Sequence, residues 1–156
     1  MNRIVAAIDP GKDGAWAVHG SGAEGFYTYA EARDGCPVRD IIADLQNSGV
    51  TFVVIEKLVT MPGKGTATSW TTSGIDWGGI YHGLQIAGIG VKVIAPTEWK
   101  KHFGLLKSEK SASIALARQF FPNIPLRRNE QCRTDHDGMA EALLMLKFGL
   151  EKELFV

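Results

Sequence analysis

The sequence predicts an α/β layer protein with a mixed five-stranded sheet, three antiparallel strands joined to parallel ones, and helices on both faces. Three observations predict it. Two short apolar runs, residues 3–9 and 51–56, read as buried strands, and each ends on an acid, Asp9 and Glu56. Between them residues 15–31 are strand-like and broken by turn chemistry, which makes an antiparallel meander with the first run. Segments of helical period then alternate with the later strands and close the chain. With 156 residues, 45% hydrophobic and 22% charged, the chain suits one domain over 1–156 with a real core.

The elements follow in order. "RIVAAID" (3–9) is apolar and stops at Pro-Gly. "PGKDG" (10–14) is a turn, with Gly11 and Gly14 able to take positive φ and Asp13-Gly14 favouring a tight hairpin. "AWAVHG" (15–20) and "GFYTYAE" (25–31) complete the meander. Helical spacing through Val38, Ile41, Ile42 and Leu45, with Gly49 as stop, predicts a helix over 38–49. A strand reached through that helix, 51–56, is expected to pair parallel with the first. Residues 57–69 read as a loop. Trp77, Ile80, Tyr81 and Leu84 predict a helix from about 70 to 87, whose Gly78, Gly79 and Gly83 allow close packing. "GVKVIAP" (90–96) is a strand ended by proline. A short helix over 97–104 with Thr97 as cap, a helix over 108–122 capped by Ser108, a basic loop over 124–133, and a last helix over 135–150 with Asp135 as N-cap complete the chain.

Several classes are excluded. No apolar run is long enough to cross a bilayer, and the N-terminus shows no secretion signal. Two cysteines, Cys36 and Cys132, make no disulfide scaffold and no CxxC zinc pair. Net charge is zero, but its distribution is uneven. Residues 1–91 carry six Lys/Arg against nine Asp/Glu, residues 92–133 nine against three, and residues 134–156 two against five. A basic segment between acidic ends can give a positive contact surface beside a negative pocket.

Asp9 and Glu56 end neighbouring buried strands on the edge where open α/β sheets bind ligands. Paired carboxylates repel and raise each other's pKa unless a cation joins them, and hard oxygen donors suit Mg²⁺ or Mn²⁺. In the last helix Asp137 and Glu141 are spaced i, i+4 and share a face with Leu144 and Phe148. A stripe that turns from acidic to apolar fits a helix packed on the sheet, with its acidic end over the carboxylate edge. Four acids could then hold two divalent ions of the kind that drive in-line phosphoryl displacement. His136 stands beside them as a candidate ligand or general base.

Taken together, "IDPGKDGAWAV", "VVIEKLV", "GGIYHGLQIAGIGVKVIAPTEWKK", "SEKSASIALARQFFP" and "DHDGMAEALLML" resemble the RuvC-type Holliday junction resolvases, especially their phage-type branch, over nearly the whole chain. The resemblance implies an RNase H-like fold, a homodimer, a bacterial or phage-infected host cytoplasm, and metal-dependent cleavage of two symmetric strands of a four-way DNA junction. It maps Asp9 onto the first-strand acid, Glu56 onto the fourth-strand acid, Glu141 onto the final acid and Asp137 onto the remaining one. Relatives that place Asp or His three residues before the last acid differ from this chain, which has Gly138 there. The third ligand is therefore Asp137 or His136.

Lys57 and Lys64 lie in the loop after Glu56, where a phosphate would approach. Lys100, Lys101, Lys107, Lys110, Arg127, Arg128 and Arg133 could bind further backbone phosphates. Trp70, Trp77 and Tyr81 could form a dimer seam, through the helix around Trp77–Leu84, or stack on unpaired bases. Two other classes share parts of this pattern. A different RNase H-like nuclease acting on RNA or flaps would keep the acids, and a non-catalytic junction-binding module would not need them.

Overall fold

The computed structural model describes residues 3–61 and 63–156. Met1, Asn2 and Pro62, the last inside the loop expected over 57–69, lie outside the described residues. β1 (Ile4–Asp9), β2 (Ala15–Gly22), β3 (Gly25–Ala32), β4 (Val50–Glu56) and β5 (Gly90–Ile94) form one sheet in the order β3-β2-β1-β4-β5. β1, β2 and β3 pair antiparallel, and β4 runs parallel to both β1 and β5. The mixed sheet is therefore the one expected. It contains two parallel pairs because α1 (Val38–Asn47) and α2 (Ala67–Ile86) are crossovers that return the chain to the same edge.

Period-2 alternation divides the core in two. Val5, Ala7 and Val54 face one side, under α5 (Asp137–Glu151) with Trp99, Ala117, Leu143 and Leu144. Ala6, Ile8, Val53 and Ile55 face the other, under α1 and α2 through Ile41, Leu45, Ile80 and Leu84. α3 (Pro96–His102) and α4 (Lys110–Phe120) lie on the α5 side. α5 packs against both β1 and β2.

α1 starts at Val38 as expected, and the other four helix starts differ from the sequence expectation. α2 begins three residues before Trp70 because Thr66 and Ser69 cap each other: Thr66 Oγ1 accepts from the Ser69 N–H at 3.1 Å and Ser69 Oγ from the Thr66 N–H at 2.9 Å. Thr97 does not cap α3. Pro96 takes the first helical position, and the Glu98 side chain accepts from the Ala95 N–H at 2.7 Å. Ser108 does not cap α4, which starts at Lys110 after an uncapped Glu109. Asp135 does not cap α5. Its carboxylate pairs with Arg118 and Arg127, and His136 caps instead, Nδ1 accepting from the Met139 N–H at 3.1 Å.

Gly11 and Gly14 can take positive φ, and neither uses that freedom. Gly14 is required by space: a Cβ there would stand 2.1 Å from the Asp9 carbonyl oxygen. Gly79 and Gly83 do pack closely, on Val38 and Ile42 of α1, whereas Gly78 faces open space.

Candidate active site

Asp9 and Glu56 stand one step beyond the Ile8–Ile55 pair of the adjacent strands β1 and β4. By the strand period each follows the face of Ala7 and Val54, the face that α5 covers. The N-terminus of α5 descends onto this edge at Gly138, where a Cβ would lie 2.6 Å from the Asp13 carbonyl oxygen and 2.8 Å from His136 Cε1. The position three residues before Glu141 therefore has no room for any side chain, which accounts physically for the glycine there. Along the stripe predicted for α5, exposure falls from 33% at the Asp137 side chain to 16% at Glu141. It reaches zero at Leu144 and 6% at Phe148. The acidic end of the helix sits over the strand ends and the apolar end in the core.

The four acids share a field. Burial, then Glu56 and Glu141, push Asp9 up from 3.8 to about 7, although the Gly11 N–H donates to its Oδ1 at 3.3 Å. Burial also raises Glu56, with Glu141 adding to it, against a hydrogen bond from Trp99 Nε1 to Glu56 Oε2 at 2.7 Å. Burial would raise Asp137 too, but Lys110, 2.5 Å away, outweighs it and holds the carboxyl below its usual range. Lys100 Nζ stands 3.5 Å from Glu141 Oε1. In this arrangement no three carboxylate, imidazole or thiolate groups among the described residues converge tightly enough to grip one ion, since two of the acids are turned to lysines. The donor set still matches a hard divalent cation in kind: oxygen ligands only, with a central acid that burial first, and neighbouring carboxylates second, keep from ionising at its ordinary pH. Asp9, Asp137 and Glu141 line one cleft of about 420 Å³, together with Lys12, Lys100, Ser108 and Lys110.

His136 is placed differently. It is 4% exposed, its Nδ1 caps α5, and its Nε2 is buried without a partner among the described residues. It lines a neighbouring cleft with Arg128, Thr134 and Asp135, and of the four acids only Asp137 lines both this cleft and the acidic one. Of the two candidates for the third acid site, the structure brings Asp137 to Asp9 and Glu141.

The basic residues divide into three sets. Lys100 and Lys110 line the acidic cleft. Lys57, Lys64, Lys101, Lys107 and Arg133 are exposed and make no ion pair among the described residues. Arg127 pairs with Asp135 at 3.8 Å, and Arg128 pairs with Asp34 at 2.7 Å and Asp13 at 3.6 Å. The basic loop is thus partly neutralised and is pinned to the turn that follows Asp9.

Sequence reasoning missed Lys12 and Trp99. Lys12 sits inside the turn read only as a chain reversal, yet lines the cleft. Trp99 is fully buried and aims its indole N–H at Glu56. An apolar tryptophan three residues after a strand-ending proline looks like core, and only the crossing of α3 past β4 reveals its polar task. Trp77, expected in packing or at a seam, also reaches Glu56: its Nε1–H donates to the Glu56 carbonyl oxygen at 2.8 Å while the ring stacks on Tyr81. Trp70 is half-buried against Gly65.

No protein-family model and no curated protein matches the sequence. Solved structures do match. The Thermus thermophilus RuvC structure aligns with a TM-score of 0.59 at 18% identity, covering 96% of each chain. The fowlpox virus Holliday junction resolvase aligns at 0.57 and 18% identity, covering 95% of this chain and 99% of that one. The yeast mitochondrial Holliday junction resolvase aligns at 0.59 and 11% identity, covering 90% of this chain and 74% of that one. The chain has the fold of the Holliday junction resolvases. It is this fold that sets Asp9, Glu56 and the start of α5 side by side.

Proposed function

We propose that the protein is a structure-selective endonuclease that resolves four-way DNA junctions by divalent-metal-dependent phosphodiester hydrolysis, with paired nicks on symmetric strands. One observation carries the reading: Asp9 and two acids of the covering helix line a lysine-rimmed cleft, with Glu56 ending the next strand and felt by both Asp9 and Glu141, in a fold that matches junction resolvases over almost its whole length. A T. thermophilus RuvC bound to a Holliday junction substrate shares the fold at a TM-score of 0.61, with 96% of each chain aligned.

Asp9, Glu56, Asp137 and Glu141 are the residues that would hold Mg²⁺ or Mn²⁺, two ions per site. When bound, such ions supply the polarisation of water and the charge stabilisation that in-line displacement needs. The chain itself does the rest. Trp99 fixes one Glu56 oxygen and leaves the other to act. Lys100 and Lys110 neutralise Glu141 and Asp137 in the resting arrangement, and each can transfer its charge to an entering phosphate. Lys12, Lys57, Lys64, Lys101 and Lys107 extend the positive rim along which DNA arms would lie.

A second copy completes the assembly in this reading. α2 has 20 residues, of which only Ile80 and Leu84 are buried, both in the core beneath the helix, so a contact through the helix around Trp77–Leu84 would use its outer face. The outer face carries Ile75 and Ile86, 72% and 88% exposed and three turns apart. Asp76 is the one acid or base on the helix besides His82. A solvated helix face would be charged. A two-fold axis through α2 would present two active sites to a two-fold junction.

The test is direct. A labelled synthetic four-way junction and a duplex of the same arm sequences are incubated with Mg²⁺ or Mn²⁺. Paired nicks in the junction and an intact duplex support the reading. Equal cutting of both overturns the junction claim, and preferential cutting of an RNA–DNA hybrid moves the protein to another nuclease class.

A further inference from the structure

Arg33 is 8% exposed, and every arm of its guanidinium is engaged. Nη1 donates to the carbonyls of Pro10 at 2.9 Å and Gly11 at 3.5 Å and to Asp76 Oδ2, and Nη2 donates to Asp76 Oδ1 at 2.7 Å. Nε donates to the Cys36 carbonyl at 3.3 Å, and the backbone N–H of Arg33 donates to the Gly14 carbonyl at 2.8 Å. The residue therefore spans from the turn that follows Asp9 to helix α2. One position along α2, Trp77 donates to the Glu56 carbonyl oxygen. Two consecutive residues of one helix thus reach both strand ends: Asp76, through Arg33, the Pro10 and Gly11 carbonyls that follow Asp9, and Trp77 the carbonyl of Glu56 itself.

Stability does not explain this arrangement. Desolvation offsets most of the attraction in a buried ion pair, and apolar replacements are often neutral or better. What the pair provides is orientation: a planar fork with a carboxylate fixes direction as well as distance. The peptide it pins is also the one whose Gly11 N–H orients Asp9 Oδ1.

We infer that Arg33, Asp76 and Trp77 are positioning residues through which helix α2 aligns both strand-end acids, Asp9 by way of the Pro10–Gly11 backbone and Glu56 by way of its carbonyl. The inference rests on reading Asp9 and Glu56 as the reacting acids. Arg33 and Asp76 touch no substrate in this scheme; they act through the turn.

The test uses Asp76→Asn, Asp76→Glu and Trp77→Phe in the full chain, because Asp76 and Trp77 are only half-buried, and a thermal melt of each variant checks that it folds. Hydrogen exchange is read for residues 9–14 and for the core strands, alongside single-turnover cleavage and junction affinity. In Asp76→Asn, exchange of residues 9–14 rises about tenfold with β4 and β5 unchanged, since the opening is local. Cleavage at saturating junction falls about tenfold with affinity within about twofold, because small misplacement of a reacting group costs rate rather than binding. Asp76→Glu retains most of both properties. Trp77→Phe slows cleavage without loosening residues 9–14. Wild-type exchange and cleavage in Asp76→Asn overturn the inference, as does a loss of cleavage matched by loosening of the whole core. If residues 9–14 loosen while the wild-type protein cuts no junction, the brace stands and the nuclease reading fails.

Discussion

Replacing Asp9 with asparagine should make the metal-free protein more stable at alkaline pH. Asp9 is raised from 3.8 to about 7 by burial and by Glu56 and Glu141. Between those two values the folded state holds a proton that the unfolded chain has released, so stability falls as pH rises from about 4 to about 7. Each unit is worth about 1.4 kcal/mol, and the cost at pH 8 is therefore up to about 4 kcal/mol. Glu56 shifts in the same direction and steepens the fall. Asp137, held low by Lys110, acts oppositely: its contribution is full above its ordinary value and is lost as pH falls from there through its depressed one. Asparagine keeps the shape and carries no charge. At 2–4 °C per kcal/mol for a chain of this size, Asp9→Asn should melt up to about 16 °C higher than wild type at pH 8 in chelator, with the gap closing toward pH 4. Adding Mn²⁺ at pH 8 should raise the wild-type melting temperature far more than that of the variant. Calorimetry across pH 4–8 measures all three. A flat wild-type profile with an Asp9→Asn protein no more stable at pH 8 would refute the claim that these carboxylates strain the site.

Three further outcomes follow from the same geometry. Trp99→Phe removes the donor that lowers Glu56, so Glu56 rises further and the acid limb of the cleavage pH profile moves up; an unmoved limb contradicts that role. Lys110→Met frees Asp137 and removes one cation from the cleft, so Mn²⁺ should bind more tightly by titration calorimetry, while the salt slope of junction binding drops by about one. Ile86→Glu on the exposed face of α2 should leave folding intact, because the residue is 88% exposed, and convert a dimer to monomers in sedimentation; a stable dimer would place the interface elsewhere.

Most of the fold was legible because burial and period coincide in this chain. The runs ending at Asp9 and Glu56 are apolar on both faces, as strands covered on both sides must be, and the α5 stripe from Asp137 to Phe148 records the depth of the helix. Cap residues were misread where a side chain had a better partner: Asp135 is taken by arginines, so His136 caps α5. The glycines at 14 and 138 were legible as glycines but not as spacing devices, because what excludes a Cβ is another part of the chain. The acids could be proposed from position alone. Their supports, Trp99, Trp77 and the Arg33–Asp76 pair, could not, since each joins residues 21 to 43 positions apart that only the folded sheet brings together.

The most direct measurement is single-turnover cleavage of a labelled four-way junction by wild type, Asp9→Asn and Glu56→Gln in Mg²⁺, with junction binding followed in parallel. The account predicts paired nicks by wild type, no cleavage by either variant, and junction affinity within about twofold for all three, because phosphate contacts carry the binding. Undiminished cleavage by Asp9→Asn and Glu56→Gln would contradict the central claim that the two strand-end acids form the reactive centre.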